Sequence, residues 1–271
     1  LEHDRGSAVY AHLFAIRTFV DGILENLFHE PEVSFAKGLL LGDRGGFSQE
    51  VMDRFRASGL LHLVALSGYN ITLVVVFVVF VTQWMARRAQ FFCAGFFIVA
   101  FVVLTGASAS VTRAAIMGML FLLAKFVGRP SGGFLTLLLA CAVMVMTNPR
   151  ILPYDIGFQL SAMATLGLIA GSFLLYRRTS ALPELFGARD ILLYTVVVQL
   201  FTAPILLYHF DSMSYVAPIS NLLVTPIMPI VMLLLFVSLV LAIIIKPLGI
   251  LVAIPASLLL KWILFVAQLL G

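Results

Sequence analysis

From about residue 62 onward the apolar positions run in long unbroken stretches. Eight can be marked, at 62–82, 91–107, 111–127, 134–147, 156–176, 191–208, 216–245 and 247–270. They are continuous and do not alternate with a period of two, which favours membrane helices over barrel strands. A spanning helix needs roughly 20 apolar residues, with a range of about 17–25, so the fourth stretch is short. The seventh is interrupted by Pro226 and Pro229. That predicts a broken or re-entrant piece at Val216–Thr225, leading into a full helix from Pro226. The expected fold class is all-α: a polytopic transmembrane helix bundle of seven or eight spans, one of them broken.

Residues 1–59 are patterned differently. Over 8–29, Phe14, Ile16, Phe19, Val20, Ile23, Leu24 and Leu27 recur at helical spacing, with Arg17, Asp21 and Glu25 on the other side. Pro31 stops that helix, and Val33–Leu41 forms a short one ending near Gly42. Ser48 followed by Val51, Phe55, Leu60 and Leu61 reads as a third, whose Asp53, Arg54 and Arg56 prefer water. Such helices lie on the bilayer surface or against the bundle. The expected organisation is an amphipathic helical cap over 1–59 and a transmembrane bundle over 60–271.

Composition sharpens the class. Of 271 residues, 62% are hydrophobic and 11% charged, where a soluble domain carries about 25% charged residues. The chain cannot cover itself with polar surface. Residues 1–59 hold six basic and nine acidic residues, net −3, and the remainder eleven and four, net +7. If the first span starts outside, the inward loops hold Arg87, Arg88, Arg129, Arg177, Arg178, Arg189 and Lys246, and the outward loops Arg150. That bias places the cap and the C-terminus outside the cytoplasm, in a multi-pass protein of the cytoplasmic (inner) membrane. The start at Leu1-Glu2-His3-Asp4, with no basic region or cleavage-like site, reads as a piece of a longer protein and not as a signal peptide. Cys93 and Cys141 sit in apolar runs and read as small buried hydrophobes.

Polar residues in such a field are functional candidates by default, because they face the bundle interior or a water-filled cavity. Ser67-Gly68-Tyr69-Asn70 lies within the first span, with Ser67 and Asn70 on one face, as a polar pore lining or hinge or as a helix–helix clamp. Around Gly106, the small residues of 105–112 make a tight turn ahead of Arg113, which must be paired, snorkelled to headgroups or pore-lining. An Arg at such a mouth attracts phosphate. Asp155 and Gln159 share a face at the entry of the fifth span, with Gly157 between them; Asp155 can equally cap its helix. Gln199, His209 and Asp211 close the sixth span. Asn221, with Pro218, Pro226 and Pro229 nearby, marks irregular backbone of the kind around which transport sites are built, or else caps a kink. No HExxH, GxSxG constellation or Walker sequence occurs, so no enzyme, metal or cofactor is expected.

The stretch Gly59-Leu60-Leu61-His62-Leu63-Val64-Ala65-Leu66-Ser67-Gly68-Tyr69-Asn70-Ile71 resembles a signature of the ComEC/Rec2 competence family. Four further stretches are similar to the same family: Leu39–Arg44, Ala109–Ala115 continuing to Gly128-Arg129-Pro130, Asp155–Ser161, and Phe201–Pro226 with Ser220-Asn221-Leu222-Leu223. The resemblance covers about 30–230. It implies a transmembrane channel that passes single-stranded DNA into the cytoplasm during natural transformation. Ser67, Tyr69, Asn70, Arg113, Gln159 and Asn221 would then line the path, with Gly68, Gly106, Asp155, Gly157, Pro218 and Pro226 shaping it. It further implies, as partners, the lipid bilayer, extracytoplasmic OB-fold and metallo-β-lactamase-like domains, a competence DNA receptor and a cytoplasmic motor. The metallo-β-lactamase-like signature His-x-His-x-Asp-His is absent from this chain.

Single-strand binders combine basic residues with aromatic platforms, a role open to Arg113, Tyr69, Phe158 and Tyr215. Two other readings compete. One is a carrier for a small anionic or lipidic solute, with Arg113 and Asn221 at an alternating-access site. The other is a structural anchor for extracytoplasmic nuclease and DNA-binding domains.

Overall fold

The structure is a computed structural model that describes residues 8–43, 45–64, 68–106, 108–128, 132–178, 188–210 and 214–271, those at 8–14, 68–70, 173–178, 188 and 210 by their backbone. Among the described residues there are helices and no strand. Four helices come first: α1 (Ala8–Leu27), α2 (Glu32–Leu41), α3 (Gln49–Ala57) and α4 (Leu61–Val64). Then follow α5 (Gly68–Val81), α6 (Arg87–Leu104), α7 (Ala109–Val127), α8 (Gly133–Thr147), the short α9 (Ile151–Tyr154), α10 (Ile156–Arg178) and α11 (Ala188–Phe210). The last are α12 (Ala217–Val224), a 3-10 turn (Thr225–Ile227), α13 (Met228–Ile244) and α14 (Lys246–Leu270).

Five segments are long and apolar enough to cross a membrane: Arg87–Leu104, Ala109–Val127, Arg189–His209, Ala217–Ile244 and Lys246–Leu270. Three shorter apolar helices, Ile71–Val81, Gly133–Thr147 and Ile156–Ser172, accompany them. The chain is an all-α multi-pass membrane protein, and its eight apolar helices overlap the eight stretches of the sequence, except that residues 62–64 of the first belong to the separate α4, whose Leu63 and Val64 are buried in the core with the N-terminal helices. The expected break in the seventh falls at the 3-10 turn. Pro226 and Pro229 lack the N–H that would continue the α ladder. Trp262 of α14 donates its indole N–H to the Leu223 carbonyl at 3.3 Å, serving a backbone group two residues ahead of the turn.

The N-terminal helices end where their sequence dictates. Gly42, at φ 73°, closes α2 in the left-handed conformation that glycine tolerates. The Ser48 hydroxyl accepts the Val51 N–H at 3.3 Å and starts α3. Ser48→Ala should cost about 1 kcal/mol of local stability, seen as faster amide exchange in the first turn of α3 with the rest of the chain unchanged.

Of the two placements open to the cap, on the bilayer surface or against the bundle, the structure has the second. Leu24, Phe35, Leu39, Phe55 and Leu60 are fully buried in one core with Val231, Leu235, Ala256, Leu260 and Ile263 of α13 and α14. The rings of Phe35, Phe47 and Phe55 lie 5.5–6.2 Å apart within it. Glu32, 4% exposed, meets Lys261 of α14 at 3.5 Å. Lys37 ties α2 to α1 through Glu25 at 2.8 Å and Asp21 at 3.5 Å. In such partly buried pairs the attraction is offset by the cost of desolvating the charges, so the apolar core does most of the holding. A second core joins Ile71, Val75 and Val78 of α5 to Ala94 and Ile98 of α6 and to Val111, Ala115 and Leu122 of α7.

Glycine sets the closest helix pairs. A Cβ on Gly167 would lie 3.2 Å from the Phe201 Cβ, and one on Gly171 would lie 3.3 Å from Val197. These two glycines, four apart on α10, let α11 approach closely, as small residues do in membrane interfaces. Gly249 does the same at the α13–α14 turn, against the backbone of Ala242.

Candidate substrate path

Five apolar elements pack in a closed order. α5 packs on α7, α7 on α10, α10 on α11, α11 on α12, and α13, which continues α12, returns to α5. The last seam is made by the rings of Phe77 and Phe236, 5.1 Å apart. α6 packs on α5 and α7, and α8 on α7 and α10.

Two of the seams carry polar side chains. Ser110 of α7 and Ser161 of α10 share a hydrogen bond of 2.9 Å between hydroxyls. The Asn221 amide nitrogen donates to the Thr195 hydroxyl at 3.3 Å, joining α12 to α11. Gln199, half-way along α11, donates from Nε2 to the Ser214 carbonyl at 2.8 Å. The Ser214 hydroxyl in turn donates to the Ala57 carbonyl at 2.6 Å. The chain after α11 therefore doubles back, and α12 starts against the middle of α11 and not its end. Gly59, at φ 74°, is pressed onto Ala217 at the head of α12. The head of the 59–71 signature and the 201–226 stretch, far apart in sequence, meet there.

Ser110, Ser161, Thr165, Thr195, Gln199 and Asn221 are each half-buried, on four of the ring's helices. The Asn221 Oδ1 is buried with no hydrogen-bond partner among the described residues. An amide oxygen left so costs about 1–3 kcal/mol, which marks this position as one where packing alone does not account for the residue.

The other singled-out residues sort by local chemistry. Asp155 caps α10, its Oδ1 accepting the Phe158 N–H at 2.8 Å, and a Cβ on Gly157 would lie 3.1 Å from the same oxygen. Gln159 turns back on the short α9, donating to the carbonyls of Leu152 at 2.8 Å and Pro153 at 3.2 Å. Its amide is thus used locally and not on a partner across the bundle. Pro218 sits in the first turn of α12 and Pro226 in the 3-10 turn. Gly106, at φ 77°, makes the tight turn between α6 and α7. Gly68, Tyr69 and Asn70 open α5 and are described by backbone alone, while Ser67 lies outside the described residues. Phe158, 3% exposed, is buried and offers no stacking face, whereas Tyr215, 90% exposed, does.

Arg113 lies one turn into α7 beside Cys141 of α8. It is 4% exposed, and its Nε and Nη1 have no hydrogen-bond partner among the described residues. Thr195 and Ser110 were not singled out in the sequence. Ser110 had a signal, as a hydroxyl in the small-residue turn before Arg113, and Thr195 had none.

Comparison with known proteins decides the family. The competence protein family matches residues 39–271. The chain belongs to this family. Competence is the state in which a cell takes up DNA, so membership ties the bundle to that process. The chain is similar to ComE operon protein 3 of Bacillus subtilis (strain 168), 27% identical over 216 residues, covering 79% of this chain. It spans 27% of that relative's length. No solved structure matches. The match begins at residue 39 and so takes in α3 and α4 with the bundle, the part of the cap that carries Gly59 to Ala217.

Proposed function

We propose that this competence protein forms the path by which single-stranded DNA crosses the cytoplasmic membrane during transformation. The observation that carries the reading is the closed order of five apolar elements whose seams hold half-buried hydroxyls and amides. Polar groups at membrane depth belong in a bundle interior or a water-filled space, and a sugar-phosphate chain needs such a space along its whole length. Hydroxyls and amides offer a moving strand exchangeable hydrogen bonds without the strong hold of a basic groove. The broken helix at Thr225–Ile227 fits the same picture, since irregular backbone is tolerated at depth where protein or a cavity surrounds it.

On this reading the cap and both ends of the chain lie outside the cytoplasm, as the seven inward cations against Arg150 imply. Extracytoplasmic OB-fold and metallo-β-lactamase-like domains, a DNA receptor and a cytoplasmic motor would be contributed from outside this chain, and any nuclease centre would belong to them. The net charge of −3 over residues 1–59 disfavours direct capture of DNA by the cap and assigns capture to those partners.

The test is uptake of labelled DNA by the native host, carrying the full-length protein as wild type or with Ser161→Leu and Asn221→Leu together, at equal membrane abundance. The leucines replace two polar seams with apolar bulk. Surface binding should be kept and internalised DNA lost. Uptake equal to wild type would remove these seams from the path. Uptake unchanged on deletion of the whole domain would end the channel reading in favour of a solute carrier.

A further inference from the structure

Arg113 is the one buried Lys or Arg among the described residues. No described carboxylate pairs with it, and Nε and Nη1 are both enclosed and without an acceptor among the described residues. An uncompensated buried ion carries a penalty of several kcal/mol even after relaxation. A side chain that only snorkels keeps its head in water or at headgroups, and these two nitrogens are enclosed instead. The charge must therefore meet an anion that the described chain does not supply.

The surroundings indicate where that anion sits. The Ser108 hydroxyl makes no cap on α7. The first N–H of the helix with an internal acceptor is that of Thr112, which bonds the Ser108 carbonyl at 2.8 Å. The N–H groups of Ala109, Ser110 and Val111 precede it and have no acceptor within the helix, and such donors at a helix N-terminus favour an oxyanion. Long helical side chains lean toward the N-terminus of their helix, and these donors lie on that side of Arg113. The helix end and the enclosed cation are separate observations within the first five residues of α7, and each favours an oxyanion.

We infer that Arg113 and the first turn of α7 form a binding site for a phosphate group. Arg supplies the charge, and the N–H groups take up the remaining oxygens. The site reads phosphate and not base, so it is blind to sequence. Assigning that phosphate to the DNA backbone rests on the channel reading; a phospholipid headgroup offers the same chemistry, and so does free phosphate.

The experiment uses the full chain in dodecyl maltoside, a detergent without phosphate, and follows the thermal midpoint. Three probes are titrated separately: a 20-nucleotide oligothymidylate, inorganic phosphate, and phosphatidylglycerol blended into the micelle. The wild type should rise in midpoint with at least one of them. Arg113→Gln should bind that probe roughly 10–100-fold more weakly, the loss of one charge-assisted contact, and Arg113→Lys should fall between. Without any probe, Arg113→Gln should melt no lower than wild type, because it removes an uncompensated charge.

A purely structural arginine would give the opposite apo result, a lower midpoint with the probe response intact, and that would overturn the site. So would a wild type indifferent to all three probes, a result that needs no variant to fold. A response to the oligonucleotide places the site on the strand's path. A response to phosphatidylglycerol or free phosphate alone keeps the site and takes it away from the channel reading.

Discussion

Gly249→Leu should sharply reduce accumulation of folded protein in the membrane. A Cβ at this position would lie 2.6 Å from the Cα, the Cβ and the backbone N of Ala242. No flexible side chain stands there to yield, so α13 and α14 would have to part at their turn. These two helices supply Val231, Leu235, Ala256, Leu260 and Ile263 to the core that also holds the cap, and separating them opens that core. Overpacking into backbone exceeds the usual range for added methylenes, so about 3 kcal/mol or more is expected. Membrane-inserted protein measured by blot, and the melting midpoint of what remains, should both fall. Gly249→Ala should fall part of the way, and a wild-type midpoint for Gly249→Leu would show that α13 and α14 are farther apart than described.

Gly59→Val should leave the protein in the membrane and stop DNA entry. Gly59 has φ 74°, a conformation strongly disfavoured for a β-branched residue. The added side chain would also run into Ala217, whose Cα would lie 3.0 Å from the new Cβ, and would crowd the Ser214 hydroxyl at 3.1 Å. Strain and clash together come to about 2–5 kcal/mol, directed at one junction. The Ser214 bond to Ala57 is lost with it, and so is the register of α12 against α11, on which the contact of Asn221 with Thr195 depends. The two cores do not include residue 59, so abundance should be near normal. Proteolysis should become faster around Ser214–Val216 while internalised DNA drops to background. Unchanged uptake would mean that the junction serves folding alone.

The eight apolar helices were legible because each is continuous in hydropathy and is bounded by charge, glycine or proline. The break at Thr225–Ile227 was legible from Pro226 and Pro229, and the cap's helix ends from Pro31, Gly42 and Ser48. Each is a local effect of backbone chemistry. The order of the ring was not legible. A helix in lipid is apolar on nearly every side, so its pattern does not say which face meets a neighbour. The docking of Phe35 and Phe55 on α13 and α14 was likewise hidden, being a contact between the two ends of the chain.

Among the site residues, Arg113 and Asn221 stood out as costly polar groups in apolar runs, and both have buried atoms without partners among the described residues. Gln159 stood out equally but finds its acceptors on α9, a turn whose carbonyls no pattern announces. Asp155 acts as the cap that its place before a helix allows.

The central claim is that a strand passes among α5, α7, α10, α11 and α12–α13. The most direct measurement places a photoreactive benzoylphenylalanine at Ser161, Thr165 or Asn221, or at Val99 as the comparison. Val99 is 54% exposed and lines an apolar groove between α6 and α7. Cells importing labelled DNA are irradiated, and covalent protein–DNA adducts are counted. The account predicts adducts with single-stranded DNA from the three ring positions and none from Val99. Continued import with no adduct at any ring position, or equal adducts at Val99, would contradict it.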